Sequence, residues 1–196
     1  MTDVTQRLDL EAIVDFVPEG SKVLDLGCGN GILLEELVQR KHVEARGVEI
    51  DEDDVRACIT RGLSVRHGNI EEGIADYRDD AFDYVILSQT LAYLNRPAPV
   101  VKEMLRVGRH AIVSFDNAGY WRERLRALSG RGTGFTLASG EPRVRAITLD
   151  QFLEFCNRLN ARIEQAVFLS GRQPIRTLPK LRAEVAVYVL ARNGGA

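Results

Sequence analysis

The 196-residue chain has little cysteine: Cys28, Cys58 and Cys156, an odd number with no CxxC spacing. That argues against a disulfide framework or a zinc site and fits a reducing compartment. It has no apolar run near the ~20 residues that a bilayer-crossing helix needs. The stretch Met1 to Arg7 is polar and lacks the apolar centre of a secretion signal. A soluble, cytoplasmic protein is expected, with no membrane contact. Charge excess is also lacking: 26 Lys and Arg stand against 28 Asp and Glu, for a net −2. The chain therefore has no broad attraction to nucleic acid or anionic lipid. No repeat or long low-complexity tract is present. What remains is ordinary globular usage, 45% hydrophobic and 28% charged, at a length suited to one domain over 1–196.

Within that length, apolar periodicity and turn residues mark the elements. An N-terminal helix within 1–18 ends before Pro18. The short apolar run Lys22–Leu26 is stopped by glycine and reads as a buried parallel strand. A helix follows from Gly31 to about Arg40, with Leu33, Leu34, Leu37 and Val38 on one side. Further strands are expected at 45–50, 63–66, 82–88 and 110–115. Between them Asp51 caps one helix, which Gly62 ends, and Pro97 opens another reaching Val107. Strand and helix alternate at βαβ spacing, so the sheet should be parallel, with helices on both faces. The rhythm then breaks. A variable region, 118–147, holds a basic amphipathic helix (Tyr120–Leu128) and a Gly- and Arg-rich loop or flap from Ser129 to Arg145. A helix capped by Thr148, a strand at 162–169, an extended loop at 171–182 and a last strand at 184–191 follow. The last two strands have no helix of their own between them, which predicts an antiparallel pair at the sheet edge. The fold class expected is α/β: a Rossmann-like, doubly wound, mostly parallel seven-stranded sheet with an antiparallel edge strand.

The glycines Gly27, Gly29 and Gly31 join the first strand to its helix, where an open α/β sheet places its ligand. A dinucleotide fingerprint needs G-x-G-x-x-G. Here the third glycine falls one position early and Ile32 stands in its place, so the dinucleotide reading fails. A P-loop fails as well, since no Gly-Lys-Ser/Thr follows. The second strand ends in Glu49-Ile50-Asp51. Glu49 lies 18 residues beyond Gly31, near the ~20 expected of an acid that accepts from ribose hydroxyls. Asp51 is better placed as a helix cap, and Ile50 is expected to pack on a base. Ser88 and Gln89 end the fourth strand and would line the pocket mouth. No strong base is evident there; Tyr93 and Asn95 are equally candidates for that role and for a helix surface. His42, His67 and His110 stand singly and read as structural or solvated. Cys28 reads as loop filling rather than a reactive thiol.

The run Asp25-Leu26-Gly27-Cys28-Gly29-Asn30-Gly31 resembles the first motif of class I S-adenosylmethionine-dependent methyltransferases. The resemblance implies that the loop backbone lies under the amino-acid part of S-adenosylmethionine, or of its demethylated product S-adenosylhomocysteine. It implies further that Asp25 orients the ammonium, that Asn69 accepts from the adenine amino group where Asp is more usual, and that Ile70 lies against the ring. Several stretches together are similar to the MetW family of methionine-biosynthesis proteins: 23–31, Gly47 to Asp51, Ser88-Gln89-Thr90-Leu91, Glu103 to Arg109, Ile112 to Phe115, Gly119 to Leu125 and Glu184 to Tyr188. One departure stands out. Where that family carries an aromatic-rich stretch with Thr-Pro-Asn-Ile-His, this chain has Gly134 to Ala146, without the Trp-Tyr pair or the His. The resemblance implies a role beside a homoserine O-acyltransferase, as an accessory or regulatory subunit. An active small-molecule methyltransferase is the alternative. A nucleic-acid methyltransferase is a third reading, resting on Arg122, Arg124, Arg126, Arg131, Arg143 and Arg145 around Trp121.

Overall fold

A computed structural model describes residue 7 and residues 9–74, 76–128 and 145–193. In chain order the elements are α1 (Asp9–Phe16), β1 (Lys22–Leu26), α2 (Ile32–Lys41), β2 (Glu44–Glu49), α3 (Glu52–Thr60), β3 (Val65–His67), β4 (Phe82–Ser88), α4 (Pro97–Val107), β5 (Gly108–Asp116), α5 (Trp121–Leu128), α6 (Leu149–Arg158), β6 (Ala161–Ser170), β7 (Gln173–Pro174), α7 (Pro179–Arg182) and β8 (Val185–Arg192). The flap expected at 129–145 lies, but for Arg145, outside the described residues.

The strands of the described residues form one sheet in the order β3-β2-β1-β4-β5-β8-β6-β7. Strands β1 to β5 pair in parallel, and β8 runs antiparallel between β5 and β6. The α/β, mostly parallel form is the one expected, with one strand more. The expected extended loop at 171–182 contains the two-residue β7 and the short α7. Gly171, at φ +55°, turns the chain back so that β7 can pair with β6, and Pro179 opens α7. The strand expected at 63–66 lies at 65–67, because Leu63 N still donates to Cys58 O at the end of α3.

Alternation along the central strands divides the core into two layers. Val23, Ile86, Ile112, Val187 and Val189 face α1 and α2, where they meet Ile13, Val14, Val17, Leu33 and Leu37. Leu24, Val85, Leu87, Val113 and Phe115 face the other way, onto Val101 and Met104 of α4 and Phe152 and Cys156 of α6. Helix α3 contributes Cys58 to a small third cluster with Cys28 and Leu34. The helices begin where the chemistry of their ends permits. Asp51 accepts from the amides of Asp53 and Asp54, and Thr148 and Gln151 form a reciprocal capping box on α6. Helix α2 differs: its N-cap is Gly31, left-handed and without a side-chain cap.

Candidate functional site

The chain leaves β1 toward β2 and β3 on one side, then returns to β4 and β5 on the other. The crevice of such a sheet opens at this switch, outside the carboxyl ends of β1 and β4. The glycine run occupies that place. A Cβ on Gly27, which has φ +72°, would stand 2.8 Å from Thr90 Oγ1; one on Gly31, at φ +82°, would stand 2.6 Å from Leu63 Cδ1. The loop thus presses closely on the β4 loop and on α3, and both positions require glycine. Cys28 is buried with its sulfur over Gly47, and burial pushes its thiol up in pKa, which fits loop filling. Asn30 is half-buried beside Gly31.

Asp25 ends the alternation of β1 on the α1 face and is 1% exposed. Its Oδ1 has no hydrogen-bond partner among the described residues. Burial raises its carboxyl to about 7, helped by Glu49 and Asp9 and opposed by the Arg7 guanidinium. A buried carboxyl oxygen without a hydrogen-bond partner among the described residues is suited to receive a cation.

Glu49 is 7% exposed, at the end of β2. Its Oε2 accepts from Gly29 N at 2.7 Å; its Oε1 accepts from Ile50 N at 2.7 Å and Asp51 N at 2.9 Å. The carboxylate therefore ties the glycine loop to β2, and Oε2 keeps capacity for a further donor. Ile50 beside it is 61% exposed, an apolar side chain on the crevice rim. Asn69 closes its own turn: Oδ1 accepts from Glu71 N at 2.9 Å, and Nδ2 donates to Glu72 at 3.1 Å. Ile70 is half-buried against the α4-side core.

Ser88 lies deeper than a pocket-mouth position implies. It is 6% exposed and sits under α1. Its Oγ donates to Asp9 Oδ2 at 2.5 Å and accepts from Arg7 Nη2 at 2.5 Å, with Ser114 Oγ 3.2 Å away. Gln89 follows in the left-handed region at φ +56°, its N–H donating to Ser114 Oγ at 3.1 Å. Strain of this kind at a strand end concentrates at binding sites. Asn95 is tied to Glu71 at 3.0 Å, and Tyr93 is exposed. His67 meets Ile50 O at 2.9 Å, and His110 meets Glu164 at 2.7 Å. Of the arginines around Trp121, Arg122 lies over the indole ring at 5.3 Å and Arg126 pairs with Glu123, while Arg131 and Arg143 lie outside the described residues.

Arg7, Asp9 and Ser114 are the site residues that sequence reasoning missed. A signal for Asp9 existed: it stands four residues before Ile13, on the apolar side of α1. Nothing local marks Ser114, which reaches the site only because it is in register with Ser88.

Comparison with known proteins supplies the context for this geometry. The family profile of methionine biosynthesis protein MetW matches residues 7–190. The bifunctional methionine biosynthesis protein MetXA/MetW of Rhodopirellula baltica is 35% identical over 213 residues, covering 98% of this chain and 34% of that protein. The chain thus spans about a third of the length of that relative. Among solved structures, a SAM-dependent methyltransferase from Archaeoglobus fulgidus superposes with TM-score 0.71 at 14% identity, covering 94% of this chain and 91% of that one. The [4+2]-cyclase SpnF superposes with TM-score 0.67 at 16% identity, covering 96% and 81%. At these identities the structural likenesses show the fold. Two such different names on one architecture mean that the reaction must be argued from the site.

Proposed function

The chain belongs to the family of methionine biosynthesis protein MetW, and from that premise we propose that it binds S-adenosylmethionine at the β1–β4 crevice and serves methionine biosynthesis as an accessory or regulatory partner of a homoserine O-acyltransferase. The observation that carries the ligand is Asp25, buried beside the glycine loop with its Oδ1 lacking a hydrogen-bond partner among the described residues. An ammonium placed there recovers the cost of holding an acid out of water. Glu49 Oε2 keeps capacity for a ribose hydroxyl, and Ile50 offers apolar surface to the adenine. Asn69 is the group we place nearest the adenine amino nitrogen, with Ile70 beside it. S-adenosylhomocysteine satisfies the same contacts.

The partnership rests on the relative that carries the MetXA and MetW names on one chain. Joining two proteins covalently raises their effective concentration toward the millimolar range, which is useful where the parts act together. S-adenosylmethionine lies downstream of methionine, so a subunit that binds it can report end product to an early step. Two measurements test this. Calorimetry should show S-adenosylmethionine binding that weakens at least about tenfold in Glu49→Ala and in Gly27→Val, a loss of about 1.4 kcal/mol or more. Unchanged affinity in both variants sinks the placement. Co-sedimentation of the purified chain with the acyltransferase should give a complex; no complex with or without S-adenosylmethionine sinks the partnership.

Methyl transfer to a small molecule is the second reading, favoured by the methyltransferase fold itself. It needs little beyond alignment of nucleophile, methyl and sulfur. Label from S-adenosylmethionine appearing in a metabolite fraction establishes it; no transfer to any fraction counts against it.

A further inference from the structure

One buried charged group lies outside the direct contacts proposed for S-adenosylmethionine. Asp9 is the first residue of α1 and its side chain is fully buried. A carboxylate at a helix start usually caps its own amides. This one instead reaches down onto the sheet, where Ser88 and Ser114 both donate to its Oδ2 at 2.5 Å. The two serines are adjacent in register, and each continues the face on which Ile86 and Ile112 lie. An apolar residue at position 9 would complete that face without taking a charge out of water, which costs several kcal/mol. The charge facing Asp9 is Arg7, whose Nε donates to Oδ1 at 3.0 Å and whose Nη2 donates to Oδ2 at 3.3 Å and to Ser88 Oγ at 2.5 Å. Arg7 lies outside α1, and its side chain is 30% exposed. The cluster therefore has a solvent-facing side, and that side is closed by a guanidinium. Asp25 and Asp116 feel the same guanidinium, so the surroundings also favour a cation.

We infer that Asp9, Ser88 and Ser114 form a second binding subsite, for the cationic nitrogen of a small molecule (a primary ammonium or a guanidinium), and that Arg7 is its tethered occupant, displaced when such a ligand enters. The acceptors suit that chemistry: a carboxylate flanked by two hydroxyls matches the several N–H donors of either cation. A tethered group competes at an effective concentration on the order of millimolar, so the wild type takes free cations weakly. The inference does not rest on S-adenosylmethionine binding, because α1, β4 and β5 gather the cluster whatever lies over the glycine loop.

The test is chemical rescue, followed by thermal denaturation and calorimetry with methylguanidinium and ethylammonium chlorides and without S-adenosylmethionine. Arg7→Ala should lower Tm by leaving Asp9 unpaired. Either probe should restore it saturably, with affinity at least about tenfold above wild type once the tethered competitor is gone. Tetramethylammonium at equal ionic strength, having no N–H donor, should restore nothing. The double variant Arg7→Ala/Asp9→Asn should show no saturable rise. Arg7→Gln keeps hydrogen-bonding capacity without the charge; it should behave as Arg7→Ala does and serves if Arg7→Ala does not fold. No saturable shift in either single variant, or an equal shift in the double variant, overturns the subsite and leaves Asp9 a structural ion pair.

Discussion

Asp25 and Asp9 stand close enough to influence one another, yet their environments push them in opposite directions. Burial lifts Asp25 to about 7. Burial also acts upward on Asp9, but Arg7 and the hydroxyls of Ser114 and Ser88 outweigh it and hold the carboxyl below its ordinary value. The signs follow by linkage. An unfolded chain releases the Asp25 proton near the ordinary 3.8, while the folded chain keeps it to about 7. Stability from this group is therefore greatest below the lower value and falls as pH rises between the two. Asp25→Asn should match wild-type Tm near pH ~4 and exceed it near pH ~8, while losing affinity for S-adenosylmethionine; parallel Tm profiles contradict the burial argument. For Asp9 the stabilisation is present above the ordinary carboxylate range and is lost as pH falls through its lowered folded value. Asp9→Asn should be the less stable protein at neutral pH and approach wild type in acid. At this scale the sequence was partly legible. The glycine spacing excluded two nucleotide loops, and its distance from Gly31 singled out Glu49 as a candidate. Asp9 and Ser114 went unread because a polar residue acquires this kind of role only from what packs against it.

Helix and strand limits were the more readable part. Strands β1 and β4 and helix α4 fall on their expected bounds, since each is an apolar run closed by glycine or polar residues or a helix opened by proline. Helix α6 begins as its Thr148 cap predicts. Removing that cap by Thr148→Ala should cost about 1 kcal/mol in chemical denaturation and leave ligand affinity unchanged, because α6 packs on the face away from the glycine loop. Loss of ligand affinity together with stability would show that the two layers are coupled. The stretch 171–182 was misread as extended throughout. Two residues pairing with β6 and four residues of helix are too short to leave a periodic signal. Helix α2 shows the reverse case. Its start lacks a side-chain cap and looks like a weakness in isolation, but the first amides of a helix are groups that a ligand can satisfy.

Across the whole molecule the sheet sets a gradient of stability. Strands β1, β4 and β5 lie at its centre, with a layer of helix on each face, while β3 and β7 are short and largely exposed at the two margins. Native-state hydrogen exchange should find the amides of β1, β4 and β5 the slowest and those of β3 and β7 among the fastest. Saturating S-adenosylmethionine should slow exchange in the glycine loop more than in β6 or β8. Uniform protection across the sheet would argue against this gradient. Among the described residues no helix is long and apolar enough to cross a membrane.

By itself the sequence determined the α/β class, the alternation of elements, the glycine loop and the acid at the end of β2, because each is written in residues near one another along the chain. Tertiary structure alone decided that β8 inserts between β5 and β6, that Ser88 is paired with Ser114, and that Asp9 and Arg7 close over them. Those contacts join residues as much as 105 positions apart. They exist because packing an amphipathic α1 onto a pleated sheet brings whatever its buried face carries, charge included, to the ends of the strands.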